Sequence, residues 1–416
     1  MNYDVAIVGL GRVGLPLALC FADHGLRVLG IDNDAERLLA LRARRMPFHE
    51  PGVQELLGRN ELGLSARIAD ATAARHIVIT LGTPSFSHIE IDMSQIREAV
   101  EELSGGLLAG QSVTLRSTVA PGTTEFLAAH LRRNTTLEVG RDIHVAHAPE
   151  RIAAGRFIEE IHSLPCIIGG VSPASGQIVG DLFSVFGAPI VQTTPVQAEL
   201  AKIWTNILRY TTFALPNLLM MDCEQYDANV FEVIDLINRD YPRGGIAKPG
   251  MTAGTCLRKD FAFSEERSNA PGMLLAVSRV NESVPLFLVR GLRRRLGALD
   301  GRRVCVLGLA FKADTDDERD SLSHKLVRLL ERELAQVTVH DPVVATVTPS
   351  LAEAVRGADA VVVATNHSAF RTPAALAEIA AGSSDECLIA DPWDCWGSGQ
   401  LFAYAGELLA AAGAAT

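Results

Sequence analysis

The sequence has no basic excess. Lys and Arg number 38 against 49 Asp and Glu, a formal net charge of −11 over 416 residues. Neutralising a phosphate backbone needs a basic face, so a nucleic-acid partner is not expected, and only a local basic pocket is compatible with this balance. Closely spaced cysteine pairs are also missing. The seven cysteines run from Cys20 to Cys395 without a CxxC, which speaks against a metal site and against a disulfide framework. Thiols in a reducing cytoplasm are the simplest reading. No segment is long and apolar enough to span a membrane, so no membrane partner is expected. The run VAIVGLGRVGLPLALCFA at 5–22 is apolar, but no basic segment precedes it, and Gly9, Gly11, Arg12 and Gly14 interrupt it. It reads as strand, turn and helix rather than as a secretion signal.

What is present is ordinary for a globular chain, with 48% hydrophobic and 21% charged residues. The length exceeds one compact core, so two or three domains are expected. Val5–Val8 is a buried strand, followed by Gly9, Gly11 and Gly14 in a GxGxxG turn and then by a helical period (Leu15, Leu17, Ala18, Phe21, Ala22). A second strand, Arg27–Ile31, ends in Asp32. Gly9 makes the tight turn, Gly11 lets the backbone approach a pyrophosphate, and Gly14 lets helix and strand pack closely. The helix N-terminus supplies free N–H groups. Asp32 would accept hydrogen bonds from a ribose diol and repel a 2′-phosphate, so the expected cofactor is NAD rather than NADP.

Further strands run through His76–Pro84, Ser112–Glu125 and Asp142–Arg151. Ligands of an open parallel sheet sit at the carboxyl ends of its strands, which places Thr83, Thr118 and Glu150 at one crevice. Thr118 also reads as a helix N-cap, since Pro121 and Gly122 follow. From Pro195 to Leu296 the pattern turns helical, and Lys202 and Asn206 stand four apart on one face, either solvated or aimed into a site. The segment from Gly272 onward reads as a long helix with a kink or an end near Pro285, closed by Arg293–Arg295. After Gly301 a strand, a glycine turn and a strand ending in Asp341 repeat the opening theme without GxGxxG, so a second dinucleotide is not expected. Lys312 and Arg319 lie in its charged loop, which is either an exposed surface or a site for another phosphate-bearing ligand.

Six segments stand in order: GLGRVGLP (9–16), STVAPGT (117–123), PER (149–151), the Lys202/Asn206 helix, GTCLRKD (254–260) and GLAFKADTDDERDS (308–321). With them the chain resembles the UDP-glucose/GDP-mannose dehydrogenase family over nearly its whole length. The resemblance implies an α/β protein with two Rossmann-like doubly wound domains joined by a central helical region. Residues 1–194 would bind NAD, 195–300 would dimerise and carry the cysteine loop, and 301–416 would bind a nucleotide sugar. The implied activity is oxidation of the C6 alcohol of a nucleoside-diphosphate hexose to the uronate with two NAD⁺, a step towards polysaccharide or glycoside precursors.

The resemblance also implies roles for residues. Cys256 is similar to the nucleophile, Lys202 and Asn206 to oxyanion stabilisers, Asp260 to the partner of a water that takes the C6 proton, and Thr118 to a holder of that water. Glu150 resembles the acid associated with thioester hydrolysis. Gly9, Gly11, Val13, Gly14, Asp32, Thr83, Thr118 and Arg319 would contact the cofactor. Glu150, Lys202, Asn206, Arg243 and Lys312 would contact the substrate. A soft nucleophile that is also a fair leaving group suits attack on an aldehyde and later hydrolysis. Its pKa must fall, and Arg258 and Lys259 beside it, or Lys202, would lower it. Ala253, Arg258 and Ala154 depart from the common pattern. The segments PER and NRDYPR (238–243) look like the N-acetylhexosamine branch, whereas CLRKD looks like the glucose branch. Two other readings compete: a two-electron β-hydroxyacid-type dehydrogenase, which needs neither Cys256 nor the segment after Gly301, and a non-catalytic NAD-binding protein.

Overall fold

The computed structural model describes residues 1–84, 92–252, 254–265, 272–344 and 348–414, so that Ala253 lies outside the described residues. The chain forms two compact units, Met1–Asn206 with Lys259–Ser268 and Ile207–Arg258 with Asn269–Thr416. The first is built on an eight-stranded sheet of order β3-β2-β1-β4-β5-β6-β7-β8. Its strands are β1 (Tyr3–Val8), β2 (Val28–Ile31), β3 (Gly63–Ser65), β4 (Ala74–Ile79), β5 (Gln111–Leu115), β6 (Ile143–His147), β7 (Cys166–Gly170) and β8 (Ile190–Thr193). All neighbours pair in parallel except β6 with β7. Val5–Val8, Ile77–Ile79 and Val113 are buried because helices cover both faces of the sheet, which is why these strands read as unbroken apolar runs. One core lies on each face, around Phe21, Phe183 and Ile168 on one side and Ile79, Val113 and Leu127 on the other.

The strand order reverses beside β1, which opens a crevice at the carboxyl ends of β1 and β4. The strands are shorter than the sequence suggests. They end at Ile79, Leu115 and His147, and the residues beyond are loops that carry Thr83, Thr118 and Glu150.

The second unit holds a five-stranded sheet, β10-β9-β11-β12-β13. Its strands are β9 (Arg303–Leu307), β10 (Gln336–His340), β11 (Ala360–Val363), β12 (Leu388–Ala390) and the antiparallel β13 (Phe402–Tyr404). Two long helices, Pro195–Gln225 and Met273–Leu296, each carry a proline inside, Pro216 and Pro285. Pro285 does not end its helix, which runs on to Leu296. The ring is buried with Val284, Leu288 and Val289, and this packing outweighs the one backbone bond that proline removes.

Candidate active site

At the crevice, Gly9 has φ +99, a left-handed conformation that a side chain would strain. A Cβ on Gly14 would lie 1.8 Å from the Gly9 carbonyl oxygen, so only glycine lets the Gly14–Asp23 helix start this close to β1. A Cβ on Gly11 would meet nothing within 4 Å, so this backbone faces open space. That space is a cavity of about 600 Å³, lined by Gly9, Gly11, Asp32, Arg37 and Thr80 through Gly82. Its glycine floor and the free N–H groups at the helix start fit a pyrophosphate, and so fit NAD. Asp32 stands at its rim with more partners than the sequence suggests. Its Oδ2 accepts from the Leu10 amide at 2.7 Å and from Arg37 Nη1 at 2.8 Å, and its Oδ1 accepts from the Asp34 amide at 2.9 Å.

Beyond β4 and β5 a second polar group forms within the same unit. Thr83 Oγ1 donates to the Thr118 carbonyl at 2.9 Å and accepts from Lys259 Nζ at 2.7 Å, while Lys259 also reaches the Thr83 carbonyl. Thr118 is not an N-cap, because the helix that follows starts at Thr123 behind Gly122. Asn206 Nδ2 donates to Asp260 Oδ2 at 2.5 Å. Asp260 is fully buried, and its Oδ1 lies 3.8 Å from Lys259 Nζ and accepts no hydrogen bond among the described residues. Lys202, one turn before Asn206, is 9% exposed. The Lys202/Asn206 face is therefore not a solvated one.

Glu150 is buried and its carboxylate is fully engaged. Oε2 accepts from Arg116 Nε and Nη2 at 3.1 and 2.6 Å, and Oε1 from the Ile152 amide at 2.7 Å. Arg116 in turn stacks over Phe183 at 4.8 Å and donates to the Ala148 carbonyl.

In the second unit, Cys256 is the exposed cysteine, and all seven are free thiols. It is the second residue of the Thr255–Glu265 helix, whose N-terminal partial charge favours a thiolate. Asp260 is one turn further along that helix. Arg319 lies within electrostatic reach of Cys256, and Asp317 holds its guanidinium through bonds of 2.8 and 2.7 Å, which raise its pKa. The cationic neighbours in sequence have partners of their own. Arg258 pairs with Glu282 and with Asp320, and Lys259 is spent on Thr83. Lys312 and Arg319 share the loop after β9, and Arg243 is exposed over the Tyr241 ring at 5.2 Å.

Several residues near the site escaped the sequence reading. Glu199, 1% exposed, accepts from the Gly122 amide, the Thr124 amide and Thr124 Oγ1, and so ties the Lys202 helix to the STVAPGT loop. Burial raises its pKa against those bonds. His147, fully buried at the end of β6, is pushed down to about 3 by burial, with Arg116 and Lys202 adding to the shift, so it stays neutral. Neither residue belongs to a local motif. Only contacts distant in sequence reveal them.

Three family profiles match the chain: the NAD-binding domain of the UDP-glucose/GDP-mannose dehydrogenase family over residues 3–187, its central domain over 196–283 and its UDP-binding domain over 305–398. A UDP-N-acetyl-D-mannosamine dehydrogenase of Pyrococcus horikoshii is 34% identical over 88% of this chain and 90% of its own length. An NDP-N-acetyl-D-galactosaminuronic acid dehydrogenase of Ralstonia solanacearum is 30% identical over 88% of this chain and 91% of its own. Among solved structures, the UDP-D-ManNAc dehydrogenase of P. horikoshii superposes with a TM-score of 0.84 at 32% identity, covering 93% of this chain and 94% of the other. A UDP-glucose dehydrogenase of Pyrobaculum islandicum gives 0.82 at 28% identity, covering 94% of each. A glycine cradle that fits a dinucleotide and a match along nearly the whole chain lead to one conclusion: the protein belongs to the UDP-glucose/GDP-mannose dehydrogenase family and is an NAD-dependent nucleotide-sugar 6-dehydrogenase.

Proposed function

We propose that the substrate is a UDP-N-acetylhexosamine of the N-acetylmannosamine type, oxidised at C6 to the uronate in two steps on Cys256. The relatives of P. horikoshii and R. solanacearum support the N-acetyl sugar. The observation that carries the chemistry is the Asn206–Asp260 pair, with one carboxylate oxygen left to accept a proton-bearing group.

NAD⁺, when bound, supplies the hydride acceptor for each oxidation. Asp260 receives the proton of the C6 hydroxyl through a water that the Thr118 loop holds. Lys202 and the Asn206 amide stabilise the developing oxyanion, a localised charge in a water-poor site. Loss of the first hydride from C6 gives an aldehyde, and the Cys256 thiolate adds to its carbon. The resulting thiohemiacetal loses hydride to become a thioester. Water cleaves the C–S bond, releasing the carboxylate and returning the thiol. Glu150 acts in that hydrolysis from a position fixed by Arg116. Arg243 and Lys312 bind the sugar nucleotide, and Arg319, Val13 and Thr83 contact the cofactor. The domain division is at 194 and 300.

The Pro195–Gln225 helix leaves Leu200, Trp204, Leu208, Leu215 and Leu218 exposed, Leu208 by 67%, and this stripe supports a homodimer. Seven free thiols support a reducing cytoplasm. No helix among the described residues is long and apolar enough to cross a membrane.

The test is NADH release with UDP-glucose, UDP-N-acetylglucosamine, UDP-N-acetylmannosamine, TDP-glucose and GDP-mannose. Two NADH per UDP-N-acetylmannosamine is the expected result. One NADH per substrate would point to the two-electron β-hydroxyacid type, and no turnover to a non-catalytic binder. Cys256→Ser should lower turnover by about 10³ or more, because an alkoxide leaves poorly. Lys202→Ala should lower it by about 10²–10³.

A further inference from the structure

We propose that Asn217 and Asn281 are positioning residues for the cysteine-bearing loop, the Asn217 side-chain amide clamping the backbone of Gly250 just ahead of GTCLRKD and Asn281 orienting that amide. For its effect on turnover this rests on Cys256 being the nucleophile.

Both side chains are fully buried in the second unit, Asn217 on the later part of the Pro195–Gln225 helix and Asn281 on the Met273–Leu296 helix. Asn217 Oδ1 accepts from the Gly250 amide at 2.9 Å, and its Nδ2 donates to the Gly250 carbonyl at 3.0 Å. One amide thus grips both backbone groups of a single residue, as a neighbouring strand would. Asn281 sets the orientation of that amide. Its Nδ2 donates to the Tyr210 carbonyl at 3.0 Å, which leaves its Oδ1 to accept from Asn217 Nδ2 at 2.9 Å. A flipped Asn217 would set two donors against each other at Gly250. The opposite side of Gly250 is closed by the Trp393 ring, which a Cβ would approach to 2.3 Å, and the indole N–H is itself held by the Ala364 carbonyl at the end of β11.

A second anchor follows four residues on. Gly254, at φ +94, donates to the Asp320 carbonyl at 3.4 Å, and a Cβ there would lie 2.5 Å from the Phe311 ring. Gly250 is therefore held to the two long helices and Gly254 to the loop after β9. An apolar replacement of Asn217 would leave the Gly250 N–H and C=O buried and unpaired, and the loop would shift to pair them. A displacement near 1 Å at a reacting group lowers rate by about 10²-fold.

The experiment compares Asn281→Leu and Asn217→Asp with the wild-type enzyme. Asp at 217 still accepts from the Gly250 amide and cannot donate to its carbonyl. Four quantities are read: thermal unfolding, NAD affinity, iodoacetamide alkylation of Cys256 located by mass spectrometry, and kcat and KM. The expected result is a cooperative melt, NAD affinity within about twofold, Cys256 alkylation slowed about fivefold or more as the thiol leaves its place at the helix start, and kcat down about 10²-fold with KM little changed. Folded variants with wild-type alkylation and wild-type kcat would overturn the proposal. Should both variants fail to fold, Gly250→Ala alone and with Trp393→Ala decides. The single change should slow alkylation and turnover, and the double change should recover part of both; no effect of the single change overturns the proposal. Alkylation does not depend on the mechanism. A fully active Cys256→Ser would remove the nucleophile reading while leaving the loop geometry testable.

Discussion

The two sheets open alike and are put to different uses. In each, the first strand runs into a glycine turn, and the neighbouring strand is followed by an aspartate, Asp32 in one and Asp341 in the other. Asp32 takes one amide from its turn, Leu10, and its outer side meets Arg37 at the rim of the cavity. Asp341 is turned wholly inwards. It accepts from the amides of Leu309, Ala310, Val343 and Val344 and contacts His367 Nε2 at 3.1 Å, with no side-chain exposure at all. Its pKa is lowered well below the usual carboxylate range: burial opposes this, and the hydrogen bond from His367 leads the groups that outweigh it. In the first sheet the helix starts at Gly14, directly behind the turn. In the second it starts at Leu322, after a long loop that carries Lys312 and Arg319. An aspartate at the same place borders an open cavity where the turn is short and braces a loop where the turn is long.

The largest expected effect tests that brace. Asp341→Ala should destabilise the protein by about 3–5 kcal/mol in chemical unfolding, since several buried amides lose their acceptor together. NAD affinity should not change. Because the folded-state pKa of Asp341 is depressed, its contribution is complete above the unfolded value near 4 and is lost as pH falls towards the folded value. Acid unfolding of wild type should therefore be steeper than that of the variant. Equal acid limbs would show that Asp341 is not the brace.

Asp32→Ala comes next. NAD should bind about tenfold more weakly and the preference over NADP should narrow, because a ribose acceptor and a repelling charge both disappear. A wild-type enzyme that used NADP as well as NAD would break the contrast between the two aspartates. The smallest effect is expected from Cys305→Ser in β9. Burial pushes this thiol up to about 12, so it is inert, and the hydroxyl should cost about 1 kcal/mol of stability with activity retained. A large loss of activity there would place a function in the second sheet's core.

The glycine turn, Asp32, the Lys202/Asn206 spacing and GTCLRKD were legible because each is a local pattern whose backbone or helical geometry follows from neighbours in sequence. What the cationic neighbours of Cys256 do was not legible. Arg258 and Lys259 adjoin the cysteine in sequence, yet the fold directs one to Glu282 and the other to Thr83. Thr118 read equally well as a cap, and only the start of the next helix behind Gly122 decided against it.

By itself the sequence determined two alternating strand-and-helix regions around a helical centre, a dinucleotide turn and an ordered set of motifs, because periodicity and glycine placement act over a few residues. Tertiary structure alone decided which polar groups are consumed: Glu150 by Arg116, Glu199 by the Gly122 and Thr124 amides, Asp341 by the turn after β9, and Gly250 by the Asn217 amide that Asn281 orients. The physical reason is that a buried polar group must find a partner, and the partner it finds is set by which distant segments the fold brings within hydrogen-bond reach.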